Sequence, residues 1–333
     1  MDFTSMSLEQ FHHHFVNEEA CFQYVYNSKW PQGFVCPRCD HRHAYVTHTR
    51  RLPLYECSRC RHQTSLTAGT LMEGSRTELR KWLIALFLVS RPEQGTTAVE
   101  LSQIVQVTYK TAWLMLHKIR QVMHAADDQT RLSGVIRVNS AVYGLPYNPS
   151  VHKHKQEHLL LVGSSLNEQG ESNYVKIKLV TPDYPGERHI SRSNTMDFNN
   201  KHTESQRSSI ETVIGLYSPK RTRPLLKFAS QASTWLNKTF HGIGAKHLQS
   251  YLDEFTFRLN LSILNAPIFT HLIQLCFHKS TTSLSALRPE IQPIIKENKI
   301  QEKMTHLSKA SFVQVGSQTR FDQWLYKKLD IAN

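Results

Sequence analysis

A chain of 333 residues is long enough for two or three domains and a sizeable core. Its 40% hydrophobic and 20% charged residues are an ordinary globular mix, and no apolar run approaches the roughly 18 residues of a membrane span, which excludes a membrane-spanning helical protein. Forty Lys and Arg against 27 Asp and Glu leave a net charge of +13, a surplus that suits a polyanionic partner but also fits a basic surface that engages nothing.

The first ten residues, MDFTSMSLEQ, lack the basic-then-apolar plan of a signal peptide, so the chain is expected in the cytoplasm. Residues 7–30 read as helical, with Leu8, Phe11, Phe15, Phe22, Val25 and Tyr26 forming an apolar stripe. Short strands and turns follow at 33–65. They hold four of the six cysteines, as Cys36-Pro37-Arg38-Cys39 and Cys57-Ser58-Arg59-Cys60, with residues 40–56 between the pairs. In a reducing compartment such paired C-x-x-C turns are metal ligands rather than disulfides: each turn offers two sulfurs, and a hairpin brings the pairs together. Tyr45-Val46-Thr47 and Leu54-Tyr55-Glu56 supply the strands of that hairpin, with Arg50 and Arg51 near its turn. Four thiolates leave no open coordination position, so the zinc is assigned a structural role, and His41, His43, His48 and His62 are read as surface residues. Arg38, Arg42, Arg50, Arg51, Arg59 and Arg61 face only Asp40 and Glu56 in the same stretch. That basic ribbon suits phosphate contact, against the alternative of a solvated face.

Residues 76–91 form an apolar helix closed by Pro92 and Gly95. Residues 97–124 read as two helices around a turn at Val105-Gln106-Val107, with Thr108 as N-cap and Trp113, Leu116, Ile119 and Met123 facing inward. This is a helix-turn-helix candidate, with Tyr109, Lys110 and Thr111 in the first turn of the recognition helix; a plain helical hairpin has the same periodicity. From Gly134 the pattern turns to strands at 135–138, 159–163 and 174–180. A polar stretch at 191–209 reads as loop, an amphipathic helix returns at 245–264, and the tail from about 280 gives little signal.

The order of these motifs resembles the zinc-ribbon insertion-sequence transposases of bacteria. The residues that carry the likeness are the cysteine ribbon, TSLTAGT at 64–70, TAW at 111–113, GVIRV at 134–138 and, most specifically, HLQSYLDEFTFRLN at 247–260. The resemblance spans about 10–265. It implies an α/β multidomain chain: helix plus zinc ribbon at 1–70, a helix-turn-helix-like region at 71–132, a ribonuclease-H-like mixed α/β domain at 133–265 and a tail of unassigned role at 266–333. It also implies double-stranded DNA as partner, at terminal inverted repeats, in the nucleoid. Relatives usually assemble as dimers or larger on paired ends.

The family's chemistry needs two Mg²⁺ ions held by carboxylates. The first carboxylate belongs to a motif like V-D-E-T-Y-x-G, matched here by Val138-Asn139-Ser140-Ala141-Val142-Tyr143-Gly144. Asn139 stands at the Asp position and is a poor ligand for a hard cation. No T-D-G-W-like motif for the second occurs between 181 and 227, where Asp183 and Asp197 are the only aspartates. At the third, Ser230-Gln231-Ala232-Ser233 replaces S-N-L-K, with Gln231 at the ligand position. The expectation is a DNA-binding protein of transposase descent without strand transfer, and with Mg²⁺ only if some catalysis survives. Two other readings stay open. One is an active transposase whose Asp183 or Asp197 joins Glu204, Glu211 or Glu254; the other is a zinc-stabilised protein-interaction module. Asp253 and Glu254 themselves are expected as a helix cap or surface pair.

Overall fold

The computed structural model describes residues 3, 6–48, 51–91, 95–144, 157–183, 189–204, 208–214 and 219–277. All of them lie within a single compact unit, Met1–Ile291.

The N-terminal helical stretch divides in two. Ser7 and Gln10 form a capping box for α1 (Leu8–His14), and Asn17 caps a second helix, α2 (Glu18–Lys29), by accepting from the Ala20 amide. A side chain that can cap in mid-stretch, followed by two acids, breaks the run at Phe15–Asn17. The ribbon is a three-stranded antiparallel sheet, β1 (Ala44–Thr47), β2 (Leu54–Cys57) and β3 (Gln63–Ser65), in that order. Helix α3 (Leu79–Ser90) is apolar on nearly every side and buried. Helices α4 (Ala98–Val105) and α5 (Tyr109–Gln129) flank a turn in which Gln106 takes a left-handed conformation, φ 52°. Thr108 caps α5 through the Thr111 amide, as the sequence predicts. Trp113 is only half-buried; the inward face is Ala112, Met115, Leu116, Ile119 and Met123.

The second sheet has the order β6-β5-β4-β7. Strands β4 (Val135–Tyr143), β5 (His158–Leu166) and β6 (Ser172–Val180) form an antiparallel meander, and β7 (Ser209–Val213) pairs parallel to β4 with Asn139 opposite Val213. Between β6 and β7, the stretch read from sequence as loop contains a helix, α6 (Arg192–His202). Ser191 and Asn194 make a capping box for it, and its Phe198 packs so tightly on Gly163 of β5 that a Cβ there would stand 2.8 Å from the ring. One aromatic anchor and one cap suffice to order a segment whose periodicity is weak.

A 3₁₀ turn at Lys220–Thr222 leads into α7 (Arg223–Phe240), whose Leu225, Ala229, Ala232 and Leu236 cover the sheet face of Ala141, Tyr143, Val162 and Ile177. Helix α8 (Ala245–Ile263) packs along β6 and against α5. The segment assigned from sequence to a tail begins with a helix, α9 (Ile268–Phe277), which joins the core of α1 to α3: the Phe269 ring centroid is 4.7 Å from Phe3 and 5.8 Å from Phe11.

Candidate metal centre and nucleic-acid interface

The two cysteine turns have the same local geometry. Cys36 N–H donates to the His41 carbonyl and Asp40 N–H to the Cys36 carbonyl; Cys57 N–H donates to the His62 carbonyl and Arg61 N–H to the Cys57 carbonyl. Each turn closes on a left-handed residue, Asp40 at φ 56° and Arg61 at φ 58°. This winding points both sulfurs of each turn to one centre. Cys36 and Cys60 Sγ are 3.6 Å apart, as are Cys39 and Cys57 Sγ, and all four sulfurs lie within 4.8 Å of one another. Thiolates about 2.3 Å from a tetrahedral Zn²⁺ stand about 3.8 Å apart, so this donor set fits a structural zinc. Among the described residues these cysteines are the only cluster suited to a metal. His41 turns its Nε2 to the Ser58 hydroxyl at 2.9 Å and is no ligand.

Arg38, Arg42 and Arg59 are exposed on the ribbon. Arg61 pairs with Glu56 at 3.1 Å and lies over the exposed Tyr45 ring; Arg51 pairs with Glu18 at 3.6 Å. Arg50 lies outside the described residues. On α5, Tyr109 and Lys110 are exposed, while Thr111 is half-buried with its hydroxyl 2.9 Å from that of Thr108.

Two of the three expected ligand positions carry a neutral amide side chain, Asn139 and Gln231. Asn139 is fully buried on the sheet face beneath α7, and its Nδ2 donates to the Thr222 carbonyl at 3.4 Å. Gln231 is exposed, whereas its neighbour Ala232 faces the sheet. Asp183 accepts from Asn194, Asp197 and Glu204 are exposed, and Glu211 is held by Arg221 at 2.6 Å and Arg137 at 3.5 Å. Among the described residues no group of three or more His, Cys, Asp or Glu other than the four cysteines is close enough to hold a metal, and neutral amides at 139 and 231 are a poor donor set for a pair of Mg²⁺ ions.

Asp253 and Glu254, expected as a structural cap or a surface pair, are fully buried. Asp253 accepts from Lys178 at 2.9 Å and faces His124 Nδ1 at 2.7 Å; Lys178 also reaches Asp127 at 2.7 Å, and Asp127 meets Lys176 at 2.9 Å. Glu254 pairs with Arg120 at 2.6 Å and, at 3.7 Å, with Arg258. Burial alone would raise the Asp127 pKa, but the two lysines hold it at about 2. Two amides on the same side of α8 close the free edge of β6. Asn260 accepts from the Val175 amide and donates to its carbonyl, while Gln249 accepts from the Leu179 amide and donates to the Ile177 carbonyl. The residues at 249, 253 and 260 thus weld α8 to the sheet edge, and Glu254 ties it to α5. The spacing of four and seven, polar where an amphipathic helix would be apolar, was the available signal for this stripe.

A family model for the transposase zinc-ribbon domain matches residues 16–63, and one for the ISXO2-like transposase domain matches residues 193–260. The strand carrying Asn139 lies outside both matched segments. The chain is also 25% identical over 182 residues to a Halobacterium salinarum protein described as an uncharacterized protein in transposable element ISH50, over 53% of this chain and 58% of that one. The chain therefore spans somewhat more than half the length of that relative. No solved structure matches.

Proposed function

We propose that this chain, a relative of insertion-sequence transposases with an N-terminal zinc ribbon, binds double-stranded DNA and does not carry out metal-dependent strand transfer. The two transposase domains and the charge of +13 support DNA as partner. A sheet in which a three-stranded meander is followed by a strand parallel to its first supports a ribonuclease-H-like reading of 133–265, and the capped α4–α5 pair supports a helix-turn-helix.

One observation carries the absence of strand-transfer chemistry. Where the resemblance places the first acid stands the neutral Asn139, fully buried, opposite Val213 of β7 and donating to the Thr222 carbonyl. A neutral amide offers a dication one carbonyl oxygen and no charge to offset its desolvation. Restoring the acid should not repair the site. In Asn139→Asp the donor to the Thr222 carbonyl is replaced by a carboxylate oxygen inside the core. The variant should lose about 1–3 kcal/mol in urea unfolding and gain no nicking activity.

The test is direct. Purified protein should bind a labelled duplex with an affinity that falls steeply as KCl rises, and should leave supercoiled plasmid carrying inverted repeats intact with Mg²⁺ or Mn²⁺. Nicking that depends on either ion, and is lost in Glu211→Gln or Asp183→Asn, would instead establish a rearranged active site.

A further inference from the structure

A cleft of about 670 Å³ lies where the ribbon meets the segment before α3, lined by Arg51, Leu52, Leu54, Ser65, Thr67, Ser75 and Arg76. Its chemistry is one-sided. The wall at 65–68 belongs to the TSLTAGT stretch, and its backbone acceptors are already engaged. The half-buried Lys29 ammonium donates to the carbonyls of Ser65, Leu66 and Ala68 at 3.2, 3.0 and 2.6 Å, and Thr70 Oγ1 donates to the Thr67 carbonyl at 2.7 Å. Elsewhere in the lining the Ser75 hydroxyl accepts from the Trp82 indole at 3.0 Å and from the Thr77 amide at 3.2 Å, which leaves its own proton to give. Arg76 is exposed, and Arg51 is shared only loosely with Glu18 at 3.6 Å and the Thr77 carbonyl at 3.5 Å. Among the described residues no carboxylate lines the cleft.

An open cleft with the 65–68 carbonyls occupied, two guanidinium groups and a hydroxyl donor matches a tetrahedral anion. We infer that this cleft seats backbone phosphodiesters of duplex DNA, with Arg51 and Arg76 as the paired contacts. The inference rests on the DNA-binding reading above and adds the place where the strand lies. Lys29 is a positioning residue: by fixing the 65–68 wall it keeps acceptors turned away from the anion. Glu18 competes with the DNA for Arg51.

The experiment measures duplex affinity by fluorescence anisotropy across a KCl series, with zinc content and melting checked for each variant. Every phosphate that the protein no longer neutralises should reduce the slope of log affinity against log salt by about 0.9. The Arg51→Ala/Arg76→Ala double variant should therefore show a slope shallower by roughly one to two, Arg51→Lys/Arg76→Lys should keep most of it, and Glu18→Gln should tighten binding at low salt. Wild-type binding with an unchanged slope in the double alanine variant would overturn the cleft and leave DNA binding standing. A wild type that does not bind duplex at low salt would remove both. If inorganic phosphate binds the wild type but not the double alanine variant, while the variant's duplex affinity and slope stay at wild-type values, the cleft takes a free anion and the assignment to the DNA backbone falls.

Discussion

Asp253 has no exposed surface, yet it faces a lysine on β6, an amide on its own helix and a histidine on α5. Such a carboxylate is worth little relative to a well-packed apolar substitute, but its removal leaves the buried Lys176 and Lys178 sharing the one buried acid Asp127 and is costly. Asp253→Ala should lower unfolding stability by about 3–5 kcal/mol, measured by urea denaturation at pH 7. The same seam makes stability depend on pH from both sides. The hydrogen bond to Asp253 raises the pKa of half-exposed His124 above the usual 6.5 against burial, which lowers it; Asp253 and Asp128 add to the rise and Lys178 opposes it. A folded pKa above the unfolded one means stabilisation complete below about pH 6.5 and lost as pH climbs through the raised value. His202 is opposite in sense. Burial, then the charges of Lys178 and Lys176, depress it to about 3, so the unfolded chain takes up its proton first and stability falls as pH drops from 6.5 toward 3. Between about pH 5 and 8 the wild type should be most stable near pH 6.5. His124→Gln should flatten the alkaline limb and His202→Gln the acid limb; a midpoint unmoved by either substitution would dissociate both histidines from the seam.

At the level of elements, the ribbon and α6 show two different routes from sequence to structure. The ribbon could be read because its signal is covalent spacing: two C-x-x-C turns on a hairpin admit one arrangement of sulfurs, and β1 and β2 form where that hairpin requires them. Chelation at neutral pH should therefore unfold the ribbon and remove the ordered β1–β2 pairing, seen as loss of amide protection in residues 44–57; protection that survives metal removal would refute a structural zinc. Helix α6 could not be read from periodicity, since its buried side chains are Thr195 and Phe198 and the rest of its face is polar. Its order comes from a long-range partner, the glycine at 163 that makes room for the Phe198 ring. Gly163→Ala would place a methyl 2.8 Å from Phe198 Cζ and 3.0 Å from Leu132 Cδ1, against packed neighbours. It should cost about 1–3 kcal/mol and raise hydrogen exchange chiefly in 192–202. The polar stripe of α8 was hidden for a related reason: an Asp or Gln on a helix reads as solvent-facing until a strand edge with unpaired amides is known to lie beside it. Strand β7, five residues with a glutamate at its centre, carries too little alternation to be recognised at all.

The largest scale concerns how the metal ribbon is joined to the rest. Helix α2 is the shared wall. On one side Tyr26 and Trp30 meet Tyr55 of β2 with ring centroids 5.7 and 5.0 Å apart; on the other Tyr24 stacks on Phe269 of α9 at 6.4 Å. Phe269 also touches Phe3, Phe11 and Phe87, so one aromatic from the C-terminal end of the described chain holds three N-terminal elements. Removing a buried Phe ring costs about 3–5 kcal/mol, a large share of a domain's usual stability of about 5–15 kcal/mol. If α2 transmits that loss, Phe269→Ala should expose α2 and α3 to hydrogen exchange and also release zinc to a competing chelator faster than wild type, although no cysteine is altered. A ribbon folding on its own metal alone would give up its zinc at the wild-type rate while the melting temperature of the remainder falls. The two outcomes distinguish a ribbon built into the common core from one merely attached to it, and the ring contacts through α2 favour the first.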